Sequence, residues 1–172
     1  MNRFSWVFLG ALAMGGCSDH GQHAGHDAAP QMGVAQQVQG DITVSNAWLR
    51  PTIEGQDATG GYLTITAGQA LALVGASSPV AEIIEVHEMK MDGDVMRMRR
   101  AEKLNLEPGQ PLALKPGGFH LMMMALPAPI AEGQEVELVL NFEKPDGSKI
   151  DMPIKAKAQM QTGGAAQGGH HH

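Results

Sequence analysis

His87 and His120 are set apart from the other histidines of this chain because each is embedded in methionine. The 172 residues include 8 His and 12 Met. His20, His23 and His26 lie near the start and His170, His171 and His172 close the chain, so only His87 and His120 belong to its middle. Met89, Met91, Met96 and Met98 follow the first, and Met122, Met123 and Met124 follow the second. Imidazole beside thioether, without thiolate or carboxylate ligands, is a soft donor set that prefers Cu(I). Zinc would want thiolate, carboxylate or more imidazoles, and magnesium or calcium would want oxygen. The single cysteine, Cys17, is remote from both clusters, so a blue-copper site of one Cys and two His cannot form. The same count excludes an internal disulfide, a CxxC redox pair and a c-type haem attachment. Methionine is ordinarily a flexible filler of cores. Against that ordinary role stands a coincidence: both central histidines fall in methionine clusters, each with a methionine on its own face.

Two strand pieces must position these groups. In VHEMKMDGDVMRMRR, Asp92-Gly93 is a two-residue hairpin signal, because a type I′ turn needs positive φ at both positions. That loop predicts Met91 opposite Asp94, Met89 opposite Met96 and His87 opposite Met98. Period-two alternation puts His87, Met89, Met91, Met96 and Met98 on one face, and Glu88, Lys90, Arg97 and Arg99 on the other. Opposed Cβ atoms lie about 4.5–5.5 Å apart, near enough for two side chains to close on one ion. In GGFHLMMMAL, His120, Met122 and Met124 share a face, after a tight turn at Pro116-Gly117-Gly118. The charged neighbours of the first cluster suggest a rim strand rather than a deep core.

The body between residues 41 and 157 is expected to be all-β. Apolar runs of four to nine residues alternate with Gly, Pro and Asp turns, the pattern of a sandwich or barrel. Strands are predicted at 42–49, 61–66, 71–76, 83–91, 95–101, 112–114, 119–124, 135–143 and 149–154. Eight or nine short strands in about 115 residues is the size of an immunoglobulin-like or cupredoxin-like β-sandwich. The net charge of −6 provides no basic footprint for nucleic acid. No enzyme is expected either: acidic residues are scattered, Ser77-Ser78 has no histidine nearby, and no phosphate-binding Gly loop opens a helix.

The ends read differently. Arg3 and the short apolar run 4–14 form an export signal, too short to span a membrane comfortably. It ends in LAMGGC, which resembles the lipobox of a bacterial lipoprotein, so residues 1–16 are expected to be removed and Cys17 lipidated; ordinary signal cleavage is the alternative. Residues 17–40 read as a flexible His-containing tether and 158–172 as a disordered His-ending tail.

At the histidine clusters the chain resembles the PCuAC family of periplasmic copper(I) chaperones. That family is marked by His, ten residues, Met, twenty-one residues, then His-x-Met, and His87, Met98, His120 and Met122 fit each spacing. NAWLRPT, GGYLTIT, LVGASSP, HEMKMDGDVMRMR and LKPGGFHLMMM extend the likeness over residues 41–154. The resemblance implies a cupredoxin-like β-sandwich in which those four residues hold Cu(I). It implies a periplasmic carrier that delivers copper toward the CuA centre of cytochrome c oxidase, directly to the oxidase copper subunit or with a Sco-type chaperone; the chain is expected to be a monomer. Cu(II) at the His-rich tails is a further expectation. The alternative role is sequestration, a copper buffer conferring resistance without delivery.

Overall fold

The computed structural model describes residues 35–160, which contain strands and turns but no helix. The first strands are β1 (Gln37–Gln39), β2 (Ile42–Leu49), β3 (Ala58–Ala67) and β4 (Leu71–Ser77). A hairpin of β5 (Ile83–Asp92) and β6 (Val95–Arg100) follows, then the short β7 (Leu104–Leu106) and β8 (Leu112–Leu114). β9 (Phe119–Met124), β10 (Glu135–Glu143) and β11 (Lys149–Ala158) complete the chain. Hydrogen-bonded neighbours run in the order β6-β5-β9-β3-β2-β11-β10-β4-β7, with β1 added to β2 and β8 to β3.

This open path folds over itself into a cupredoxin-like β-sandwich because most of its strands have one apolar face to cover. Val44, Leu63, Val86 and Leu121 from one layer share a core with Leu73, Leu138, Phe142 and Met152 from the other. Each large side chain taken fully out of water contributes about 1.5–3 kcal/mol. The layers are joined where β11 runs parallel to β2, over Lys157↔Trp48 and Ala158↔Leu49.

A bulge in β2 matters for the site. The register with β3 shifts between Ser45 and Trp48, and Asn46 takes φ 53°, a left-handed conformation that asparagine tolerates better than most residues. Before the bulge Ile42 and Val44 are buried in the core; after it Ala47 and Leu49 are. The extra residue turns Trp48 to the opposite face of the sheet, opposed to Tyr62 at a ring-centroid distance of 4.4 Å.

The nine predicted strands are all present, with two additions that correct the reading. β1 forms inside the segment read as tether, so the tether does not extend to residue 40. Its polar sequence shows no alternation, but it pairs with β2, and the Gln37 and Gln39 side chains donate to backbone carbonyls of Lys155 and Asp151. β7 is only three residues long and pairs with β4. At the other end β11 continues to Ala158, one residue past the expected edge of the body.

Candidate metal centre

β6, β5 and β9 lie side by side at one end of the sheet, and their registers bring the two histidines together. His87 and His120 are directly opposed across β5 and β9, with ring centroids 6.0 Å apart and planes at 72°. The hairpin register corrects the predicted one by two residues: Met89 faces Met98, Met91 faces Met96, and His87 faces Arg100 rather than Met98. The turn residues are Gly93 and Asp94, not Asp92 and Gly93. Gly93 has φ 65° at the first central position, where one positive φ suffices for a type II′ turn. A slip of two preserves the side-chain period, so the expected face of His87, Met89, Met91, Met96 and Met98 stands.

Each imidazole has one nitrogen committed and one free. The Gly118 carbonyl, 3.1 Å from His120 Nδ1, can only accept, so Nδ1 carries the proton and Nε2 keeps its lone pair. That carbonyl also accepts from the Met89 N–H, tying the hairpin to the His120 ring. It is aimed by the turn from Lys115 to Gly118, with Pro116 and Gly117 at its centre and Gly117 at φ 80°. His87 Nε2 lies 2.9 Å from Glu85 Oε2, an acceptor when ionised, so its N–H points there. His87 Nδ1 is left buried without a hydrogen-bond partner. A lone pair in that position is costly unless something occupies it, and a metal ion is one such occupant.

Glu85 is a residue that sequence reasoning missed. It precedes His87 by two positions and so shares its face, which was the available signal. Its second oxygen pairs with Arg100 at 3.0 Å. The hydrogen bond from His87 holds the Glu85 carboxyl below its ordinary pKa; partial desolvation opposes this and the Arg100 charge adds to it. Trp48 and Tyr62 were missed too. Tyr62 lies 6.4 Å from the His120 ring and has the Arg50 guanidinium 5.7 Å above it. Burial pushes its hydroxyl pKa up, with Arg50 opposing. Gly60 makes room for it: a Cβ there would sit 2.5 Å from the Tyr62 hydroxyl.

A cleft of about 560 Å³ opens on this face. Met98, His120 and Met122 line it together with Met89, Met96 and Tyr62, while His87 stands behind with 15% of its side chain exposed. Met122 and Met98 fall on opposite sides of the histidine row, Met122 opposite Glu85 and Met98 opposite Met89. On a flat sheet they would be about 16 Å apart, and both line the one cleft. Among the described residues no group of three or more His, Cys, Asp or Glu could hold a metal. Beside the imidazoles, the cleft offers the thioether sulfurs of Met89, Met96, Met98 and Met122 as further donors. Cys17 and the histidines of both tails lie outside the described residues.

Comparison with known proteins gives two kinds of likeness. A family profile described as "Putative lipoprotein LpqE-like" matches residues 42–154. "Putative lipoprotein Lxx21020" of Leifsonia xyli subsp. xyli (strain CTCB07) is 31% identical over 115 residues, which is 66% of this chain and 69% of that protein. Among solved structures, the copper-bound PCuAC domain from PmoF2 superposes with a TM-score of 0.60 at 22% identity, over 74% of this chain and 100% of that one. The apo PCuAC domain from PmoF1 gives 0.59 at 20%, over 73% and 99%. The fold is thus that of PCuAC domains.

Proposed function

The chain belongs to the LpqE-like family of putative lipoproteins, and on that premise we propose that it is an exported, lipid-anchored Cu(I) metallochaperone. His87, Met98, His120 and Met122 are its copper ligands and Cys17 is its acylated residue. The observation that supports the ligand set best is the opposed histidine pair, in which Gly118 and Glu85 commit one nitrogen of each ring and leave His120 Nε2 and His87 Nδ1 free. Such outer contacts commonly orient metal-binding histidines. Copper in the PmoF2 domain, on the same fold, supports the choice of metal. Copper is cargo here. A rim site with half-exposed thioethers lets a partner's ligands enter before the first set has left, so the direction of transfer follows relative affinity.

The acceptor in this reading is the copper subunit of cytochrome c oxidase, reached directly or through a Sco-type chaperone in the periplasm. A second reading, sequestration without delivery, draws on the His-containing tails, which add binding capacity without specificity. Deletion of the gene separates the two: loss of oxidase assembly at low copper supports delivery, and copper sensitivity alone supports sequestration. The ligand set is tested by anaerobic Cu(I) competition titration of the full chain carrying Cys17→Ser, beside its Met98→Ala/Met122→Ala form. One tight equivalent that collapses in the variant is expected. Equal binding by the variant would refute the assignment.

A further inference from the structure

We propose that the same cleft holds a second soft-metal station, a thioether triad of Met89, Met96 and Met98 that accepts Cu(I) or Ag(I) on the hairpin-tip side of the histidine pair. This rests on the reading of the cleft as a Cu(I) site and adds a position to it. Met89 and Met98 are directly opposed across β5 and β6, which brings their Cβ atoms to about 4.5–5.5 Å. Met96 is the next residue on that face of β6 and lies diagonally from Met89, about 7–8 Å away and within reach of long side chains. All three line the cleft.

Packing does not explain Met96 and Met98, and Met89 is only half-buried. β6 buries none of its residues, and Met96 and Met98 are 54% and 49% exposed. The register also divides the donors. Met122 lies with Glu85 on one side of the histidine row, and the triad lies on the other. One ion held by His87, Met98, His120 and Met122 therefore leaves Met89 and Met96 without a role, and Met98, diagonal to His87, borders both positions. Nearby cationic groups do not occupy the triad. Arg97, Arg99 and Lys90 belong to the opposite face of the hairpin by alternation, Arg100 is paired with Glu85, and Arg50 stands over Tyr62. Three uncharged sulfurs without oxygen ligands select a soft monocation over calcium, magnesium or zinc. Movement inward is ligand exchange: one metal–sulfur bond at the triad breaks as one to the His87 or His120 nitrogen forms, Met98 staying bound. Neither electrons nor protons are transferred.

The test uses the full chain with Cys17→Ser and ¹³C-methyl-labelled methionine, titrated anaerobically with Ag(I) and then with Cu(I). The Met122 methyl is expected to finish shifting with the first equivalent, and the Met89 and Met96 methyls with the second. Met89→Leu/Met96→Leu, a volume-conserving change, should weaken the second equivalent by about tenfold or more and leave the first in place. A Met96 methyl that does not move by two equivalents overturns the proposal. So does a second transition that survives in the variant, or a single transition moving Met89, Met96 and Met122 together. Failure of the parent reading looks different: the first equivalent would then leave Met122 and both histidine rings unperturbed.

Discussion

The β10–β11 hairpin and the β5–β6 hairpin are built from the same alternation of apolar and charged residues, yet only one of them buries its apolar side. In β10, Val136, Leu138, Leu140 and Phe142 are all inside, alternating with Glu135, Glu137, Val139, Asn141 and Glu143. In β6, Met96 and Met98 alternate with Arg97 and Arg99 and nothing is inside. Methionine itself makes the contrast sharpest: Met152 of β11 is 1% exposed and Met123 of β9 is 0%, against 54% and 49% for Met96 and Met98. Alternation announces a strand, but coverage of its apolar face depends on whether a second layer reaches it. The facing layer covers the apolar side of β10 and β11, whereas the cleft face of β5, β6 and β9 points away from the layer contact and stays open. Thioethers left open there are available to a ligand.

The largest effect that could break this comparison comes from truncating one methionine of each kind. Met152→Ala should cost about 2–5 kcal/mol through the cavity it leaves and leave Cu(I) affinity unchanged. Met98→Ala should stay within about 0.5 kcal/mol of wild type, as exposed substitutions do, and weaken Cu(I) binding. Urea denaturation and Cu(I) competition on both variants decide it. Comparable destabilisation by Met98→Ala would mean that β6 packs after all.

A smaller effect sharpens the contrast within the site. Glu85→Ala should reduce Cu(I) affinity by about 10–100-fold, the usual cost of losing the partner that orients a metal-binding histidine. The ¹⁵N shifts of His87 in the metal-free protein should show its preference for Nε2–H lost. Glu85→Gln retains a carbonyl that accepts from Nε2–H and should keep most of the affinity. An Ala variant with unchanged His87 shifts and affinity would remove Glu85 from the site.

Most of the architecture was legible because periodicity is a local property. Ile42–Leu49, Phe119–Met124 and Glu135–Glu143 could be bounded from their own residues. What was not legible depended on partners. QVQ is a strand only because β2 and the β11 backbone receive it. LNL is too short for alternation to register. The hairpin slipped by two because Asp-Gly suggests a type I′ turn, while Gly93 serves a type II′ turn one residue later. Trp48 was hidden by a single residue, Asn46, whose bulge exchanges the faces of everything after it. The histidines and their methionines were visible as a cluster. That His87 and His120 oppose each other was not, since the β5–β9 pairing joins segments more than thirty residues apart in a register no local signal sets.

The smallest expected effect lies on the covered hairpin, where charge rather than coverage shapes the β10–β11 turn. Asp146 accepts from the Ser148 hydroxyl at 2.6 Å and from its N–H at 2.8 Å. The hydroxyl bond holds the Asp146 carboxyl below its ordinary value, the backbone bond adds to this, and desolvation opposes both. A carboxyl depressed in the folded state stabilises above its unfolded pKa of about 3.9, and that contribution is lost as pH falls through the folded value. Asp146→Ala should therefore lower Tm slightly at pH 7, and the difference from wild type should shrink toward pH 3. The group is exposed, so the effect is modest and screened by salt. A gap of equal size at both pH values would show that Asp146 acts through its neutral turn geometry. The acid limb of the covered hairpin would then have to come from another carboxylate, Glu143, whose bond from Lys103 likewise lowers its pKa.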